Sequence, residues 1–466
     1  MALDVALVVA YLAVLLGIGL RGGRSVRSAA DFTAADGRYG TAVIFATLAA
    51  SFVGGGFSSG NASEAYAHGI GSTVAMLGFS VAMTLIGRFL APGVARFRGV
   101  STVGGILERD YGRGARVLTG LFSFLSCTGV VAAQMEAMGL TFRTLLGVSE
   151  TAGILIGFGI VMVYTTFGGM QSVIAADMVQ FALLAVGMPL LLWGGLHRAG
   201  GLDAVLTALP SAYFDPLNGT TAAGFCSLCV TLAVGEALAP PYTQRLLLGR
   251  TPAVTARATV LSGLFSVPFF VVTGLIGLTA YALDPAADAA TAMPRMILTA
   301  LPVGLRGLVM AAMVSIILSA ADGFLNGAAI GLVCDAVLPI QPQTPPTLQL
   351  RLLRYVNLLT GGAAVAMAFW LPGIFRILRI AYSFWCPVML PPLVAAFRGV
   401  HVRRRVFYAA VCAGASVALV WELALGCPFA VDGSVAGLLA NTLVFAAGWG
   451  MEKYKIDKRC TIIRKV

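Results

Sequence analysis

Of 466 residues, 58% are hydrophobic and 11% are charged, less than half the roughly 25% charge of a soluble globular domain. The apolar residues come in blocks of the length a helix needs to cross a hydrocarbon core, about 20 residues each. Long runs such as Phe181 to Gly194 exclude the alternating strands of an outer-membrane barrel. These observations point to an all-α polytopic membrane protein.

In chain order, spans are expected at 3–20, 41–67, 70–91, 117–146, 152–167, 173–196, 222–247, 256–282, 298–337, 353–371, 374–397, 406–425 and 434–450, about thirteen in all. The first has Asp4 where a signal peptide carries basic residues and lacks a small-residue cleavage pattern, so it is expected to stay in the membrane. The second contains Gly54, Gly55 and Gly56 in succession, each weakening a helix by about 1 kcal/mol. The seventh contains Glu236 followed by Pro240 and Pro241, which interrupt helical hydrogen bonding. Unwound backbone at membrane depth persists where it lines a cavity or is buried in protein. Two such breaks, five spans apart in helices of opposite direction, point to inverted repeats with a binding site between them. The ninth span is too long for one crossing and is expected to continue past the membrane.

Basic residues mark the cytoplasmic side. One set of alternate loops holds Arg21, Arg24, Arg27 and Arg38, then Arg96 to Arg116, Arg250, Arg257, Arg351, Arg354, Arg398, Arg403 to Arg405, and the tail with Lys453, Lys455, Lys458 and Arg459. The other set holds mainly Arg143, Arg198, Asp284, Asp288, Arg295 and Asp432. The amino terminus is therefore expected outside and the carboxyl terminus inside a cytoplasmic (inner) membrane, as an odd number of crossings requires. This asymmetry accounts for the net charge of +11 without a nucleic-acid partner.

Charges inside spans are costly and persist mainly where they are paired or used. Glu64, Glu136, Asp177, Glu236 and Asp322 are the candidates. Glu64 lies near an outer end and can reach water, and Glu136 is placed to pair with Arg143. Asp177 and Asp322 lie deeper, and Glu236 is within a turn of the Pro240–Pro241 break. The eight cysteines are scattered; Cys226 and Cys229 stand without a second pair or a nearby histidine and read as packing residues rather than a zinc site. Asn218 begins a glycosylation triplet that is weak by itself.

Tyr164-Thr165-Thr166-Phe167-Gly168-Gly169-Met170-Gln171-Ser172-Val173, followed by Asp177 and Gln180, resembles a run characteristic of the solute:sodium symporter family, which carries sugars, amino acids, carboxylates and vitamins. The loop from Asp31 to Gly40, the stretch Pro240 to Arg245, and Ser319-Ala320-Ala321-Asp322 followed by Cys334-Asp335 agree in order, so that the resemblance spans residues 1 to about 400. It implies a core of two inverted five-helix repeats, a LeuT-like fold, with residues 1–40 and 401–466 peripheral, 41–400 the transporter core, 41–196 the first repeat and 222–397 the second. It further implies a sodium site of the carbonyls of Ala50, Val53 and Ile316 and the hydroxyl of Ser319. The next position, a second hydroxyl in the family pattern, is Ala320 here, and water or Asp177 is left to fill in. Sodium is the expected coupling ion; a proton-coupled carrier, with Asp177 or Asp322 as the proton acceptor, or an uncoupled one is the alternative. The substrate position falls on Gly54, Gly55, Gly56, Phe57 and Ser58, with Glu236 and Tyr382, while Asp177, Asp322, Pro240 and Pro241 are coupling or gating candidates. A carboxylate such as Glu236 favours a solute with an amino, amide or ureido group.

The expected activity is thus sodium-coupled symport of a small organic solute, in contact with membrane lipid and as a monomer or loose homo-oligomer. Three histidines with no metal or triad spacing argue against an enzyme, and no Gly-x-x-x-x-Gly-Lys-Ser/Thr loop supports a primary pump. A transporter-like sensor would signal through a separate partner, and broken helices fit an occluded site better than an open channel.

Overall fold

A computed structural model describes residues 2–33, 37–371 and 373–463, with backbone alone at Phe375 and 454–463. Residues 34–36 of the Asp31–Gly40 loop and the side chains of Lys455, Lys458 and Arg459 lie outside this description. Regular structure among the described residues is helical, apart from a single parallel bridge between Tyr39 and Gly249.

Nine described helices are long and apolar enough to cross a membrane. Two bent pairs, Thr41–Phe52 with Gly56–His68 and Arg376–Ser383 with Cys386–Arg398, turn by 62° and 52° and bring the number to eleven. The helix Glu150–Ala199 has 50 residues and would measure about 75 Å if straight, more than twice the about 30 Å hydrocarbon core. It is divided at Gly169, whose φ of 58° and ψ of −164° only glycine adopts readily. A side chain there would also press on the backbone of Phe32, 3.0 Å from the position of a Cβ. The pair Ala222–Val234 and Pro240–Leu247 forms a further broken span. With these two divisions the helices fall into the thirteen expected spans, numbered here in chain order: 1, Ala2–Gly23; 2, the first bent pair; 3, Gly71–Phe97; 4, Arg113–Leu146; 5 and 6, the parts of Glu150–Ala199 before and after Gly169; 7, the broken pair; 8, Pro252–Leu283; 9, Leu305–Ile340; 10, Pro346–Trp370; 11, the second bent pair; 12, Arg404–Ala424; and 13, Gly433–Lys453.

Three boundaries differ from expectation by more than about a turn: span 3 continues to Phe97, span 10 begins at Pro346, and span 9 begins late. Residues 298–300 belong to a separate short helix, Ala292–Ala300, and span 9 begins at Leu305. Hydropathy is continuous across this point, but Pro302 and Gly304, at φ 95°, turn the chain. Span 9 is almost wholly buried. Its Ala, Ser and Gly residues allow the close approach that drives helix packing where lipid is as apolar as leucine. It lies against spans 1, 4, 5 and 6. Span 1 is fastened to its start by Asp4, which accepts from Arg306 at 2.6 Å and from the amides of Gly304 and Gly307 at 2.9 and 3.0 Å.

Span 11 contains Pro391 and Pro392, which supply no amide to the carbonyls one turn back. Those carbonyls, of Pro387 and Val388, accept from the Asn441 side chain of span 13 at 2.8 and 3.0 Å. Gly414 of span 12 and Gly437 of span 13 pack against Pro387, completing this corner.

Candidate functional site

The first helix of span 2 ends at Phe52, and Val53 leaves helical geometry at φ −81°, ψ 42°. Gly55 then donates its amide to Gln134 Oε1 at 2.7 Å, and Ser58 Oγ donates to the Gly54 carbonyl at 2.8 Å. The break is therefore held by side chains rather than left open. A Cβ at Gly54 would lie 2.7 Å from that of Ala320, and one at Gly56 would collide with Leu378 of span 11. The glycines thus let span 2 meet spans 9 and 11 at its unwound turn. Phe57 turns the other way: it joins an aromatic cluster with Phe79 and Phe270, at ring separations of 5.1 and 5.5 Å, and serves as core.

In span 7 the interruption covers residues 235–239, and Pro240 and Pro241 open the second helix rather than break one. Proline suits that first turn, where an amide would be unpaired anyway. The strain falls on Leu238, at φ 53° and buried; its carbonyl accepts from Thr243 Oγ1 at 2.6 Å, while that of Ala237 accepts from Trp385 Nε1 at 3.2 Å. Glu236 is buried and accepts two tyrosine hydroxyls, from Tyr382 at 2.7 Å and from Tyr242. Span 11 consequently touches both breaks, through Leu378 at one and through Tyr382 and Trp385 at the other.

Asp177 centres the second cluster. Ser319 Oγ donates to its Oδ1 at 2.6 Å, while Thr47 and Arg245, the latter at 2.9 Å, donate to Oδ2. Arg245 and Asp177 are both fully buried. The guanidinium also donates to Thr47 Oγ1 at 2.9 Å and to the Pro241 carbonyl at 3.1 Å, so one side chain ties span 7 to spans 2 and 6. Asp322, one turn beyond Ser319, accepts Tyr164 Oη at 2.7 Å on Oδ2 and has no partner on Oδ1.

Of the sequence candidates, the structure gathers Asp177 with Ser319, and Glu236 with Tyr382; it sets Gly54 beside Ala320. Tyr164, Tyr242 and Arg245 lie within the stretches the sequence marks but receive no role from it; Thr47, Gln134 and Trp385 carry no such mark. Arg245 had a usable signal, an arginine in a span that also holds Glu236. Other expectations change. Glu136 accepts the Gly373 amide at 2.6 Å instead of pairing with Arg143, which bonds Glu150 at 2.9 Å across the turn joining spans 4 and 5. Glu64 pairs with His68 at 3.2 Å near the surface. Cys226 is exposed and Cys229 half-buried, so Cys226 faces outward rather than into the packing. Asn218 donates to the His68 carbonyl at 2.8 Å.

Span 2 unwinds at Val53, one turn after Ala50, and sets Gly54 against Ala320 of span 9, which offers no hydroxyl, while the neighbouring Ser319 donates to Asp177. Carbonyl and hydroxyl oxygens beside an unwound helix suit a hard monovalent cation. The buried Ser51 Oγ, without a partner, lies on the same turn. No group of three His, Cys, Asp or Glu able to hold a metal occurs among the described residues.

Broken helices meeting between packed spans define the LeuT fold. The solved Na+-coupled sialic acid symporter, in a substrate-bound outward-open state, superimposes with a TM-score of 0.82 at 18% identity, covering 96% of this chain and 97% of that one. Mhp1, a nucleobase-cation-symport-1 family transporter in a closed conformation, gives 0.61 at 15% identity over 90% and 94%. Residues 32–399 match the sodium:solute symporter family, and the chain belongs to it. Among curated relatives, the high-affinity choline transporter 1 of Caenorhabditis elegans is 24% identical over 59% of this chain and 49% of its own length. The sodium/pantothenate symporter of Escherichia coli is 27% identical over 46% of each. Solute carrier family 5 member 4A of Mus musculus is 25% identical over 73% of this chain and 59% of its own length. The matches thus span about half of these relatives' lengths.

Proposed function

We propose that this protein couples sodium entry to the symport of a small organic solute that carries an ammonium or other N–H group. The observation that carries the sodium part is the seating of the span 2 break, at Gly54, against Ala320 of span 9, next to Ser319. Four protein oxygens, from Ala50, Val53, Ile316 and Ser319, hold the ion, and water completes the set where Ala320 lacks a hydroxyl. Asp177 orients Ser319 and supplies negative charge nearby, part of it offset by Arg245.

Glu236 carries the substrate part. It sits at the second break among Tyr242, Tyr382 and Trp385, and its hydrogen-bond partners are two neutral hydroxyls. A buried carboxylate without a cationic partner is costly, and an ammonium group removes that cost while aromatic faces add cation–π attraction. The choline transporters among the relatives accord with the ammonium form of this reading, whereas pantothenate, an anion, fits it only through its amide N–H. Gly54 to Gly56 and Ser58 form the facing wall. Span 11, which touches both breaks, closes over the solute, and the half-helix beginning at Pro240 and Pro241 moves with it.

A proton-linked carrier is the second reading, favoured by one observation: Asp322 is buried, bonded to a neutral tyrosine, and has a free oxygen. Uptake into proteoliposomes of ammonium-bearing and carboxylate solutes, driven separately by a sodium or a proton gradient, tests both. Accumulation of ammonium solutes under sodium alone is expected. Accumulation under a proton gradient, abolished by Asp322→Asn, would replace sodium by the proton. The remaining organisation is read as a core of 41–400, with 41–196 and 222–397 as repeats, flanked by peripheral residues 1–40 and 401–466. The protein is read as a monomer or loose homo-oligomer in the cytoplasmic membrane.

A further inference from the structure

An apolar groove on the outer wall takes no part in the transport reading. It runs between Cys386–Arg398 of span 11 and Gly433–Lys453 of span 13 and has a volume of about 470 Å³. Leu390, Val394, Leu438, Phe445 and Trp449 line it, and Arg398 stands at one end. The origin of the groove lies in the packing described above. Asn441 bonds the carbonyls of Pro387 and Val388, and a Cβ at Gly437 would come within 2.8 Å of Pro387 Cβ. The two helices are therefore pinned together at that level and separate toward Arg398.

Length and charge identify the occupant. From Leu438 to Trp449 a helix rises about 17 Å, close to half of the about 30 Å hydrocarbon core. A partner helix would need the full thickness, whereas an acyl chain needs one leaflet. Arg398 is exposed and donates only to the Phe89 carbonyl, at 3.4 Å, with no carboxylate in ion-pair range among the described residues. Lys453 lies 5.6 Å from the Trp449 ring centre at the same end. A tryptophan and basic side chains together mark headgroup depth, and an arginine fork matches a phosphate.

We propose that this groove binds an anionic phospholipid of the leaflet on the arginine-rich side, one acyl chain lying between spans 11 and 13 and the phosphate on Arg398. The lipid would rest on the span that also carries Tyr382 and Trp385.

The test is native mass spectrometry of the full chain, delipidated in detergent and titrated with phosphatidylglycerol or phosphatidylcholine of identical acyl chains. Phosphatidylglycerol is expected to bind about fivefold more tightly, the worth of one basic residue at a membrane surface. Arg398→Ala should erase that preference and leave phosphatidylcholine binding unchanged. Val394→Trp, which fills the groove, should remove the tightest adduct of both lipids, with Thr442→Trp substituted should the melting temperature show that Val394→Trp is misfolded. Equal binding of the two lipids to the unsubstituted chain overturns the proposal, as does an unaltered phosphatidylglycerol adduct in both variants. A dimer that Val394→Trp dissociates would assign the groove to a second copy and also overturn it.

Discussion

The side chains that matter most are charges with few alternatives. Arg245 and Asp177 are both fully buried, and removing one partner of such a pair leaves an uncompensated charge costing about 3–5 kcal/mol. Arg245→Leu is therefore expected to lower the melting temperature in detergent more than the double variant Arg245→Leu/Asp177→Asn does. A double-variant loss equal to the sum of the two single losses would mean that the two side chains act independently. In the sodium site proposed above, Ala320 is the position that lacks a hydroxyl. Ala320→Ser restores a hydroxyl beside Ser319 and is expected to lower the sodium concentration for half-maximal uptake about tenfold, or about 1.4 kcal/mol. A raised requirement would show that the site is too tightly packed against Gly54 to use it. At Glu236, substitution by Gln keeps the shape and removes the charge. Uptake of ammonium solutes should fall by at least about tenfold while uptake of neutral analogues persists; parallel loss of both would make Glu236 a prop for Tyr242 and Tyr382.

Among the elements, the breaks are held by partners on other spans: Gln134 at the second, Trp385 at the seventh, and Asn441 at the proline pair of the eleventh. Asn441→Ala leaves the Pro387 and Val388 carbonyls unpaired, a cost of about 1–3 kcal/mol. Its melting temperature is expected to fall, and Pro391→Ala/Pro392→Ala in the same background should recover part of the loss by restoring amides to those carbonyls. No recovery would place the contribution of Asn441 in its packing instead. The glycines of span 2 and the prolines of span 7 were legible because they are poor residues for a helix interior. The start of span 9 carries the same kind of signal in Pro302 and Gly304, but the apolar run continuing on both sides of them masked it.

For the whole molecule, the arrangement of thirteen spans sets which loops share a side. Single cysteines at Ser149 and Ser101, in a cysteine-free background, are expected to label from opposite faces of intact cells, Ser149 from outside. Reversed labelling would overturn the orientation read from the arginines. Composition and hydropathy alone determined the class and, to within a turn or so, where two spans are broken, because crossing a bilayer constrains every stretch of about 20 residues. Tertiary structure alone decided the partners. Asp177 meets Arg245 across 68 positions and Ser319 across 142, and Glu236 meets Tyr382 across 146. Local periodicity carries no information about such pairs, which exist because buried polar groups must find one another wherever the packing brings them.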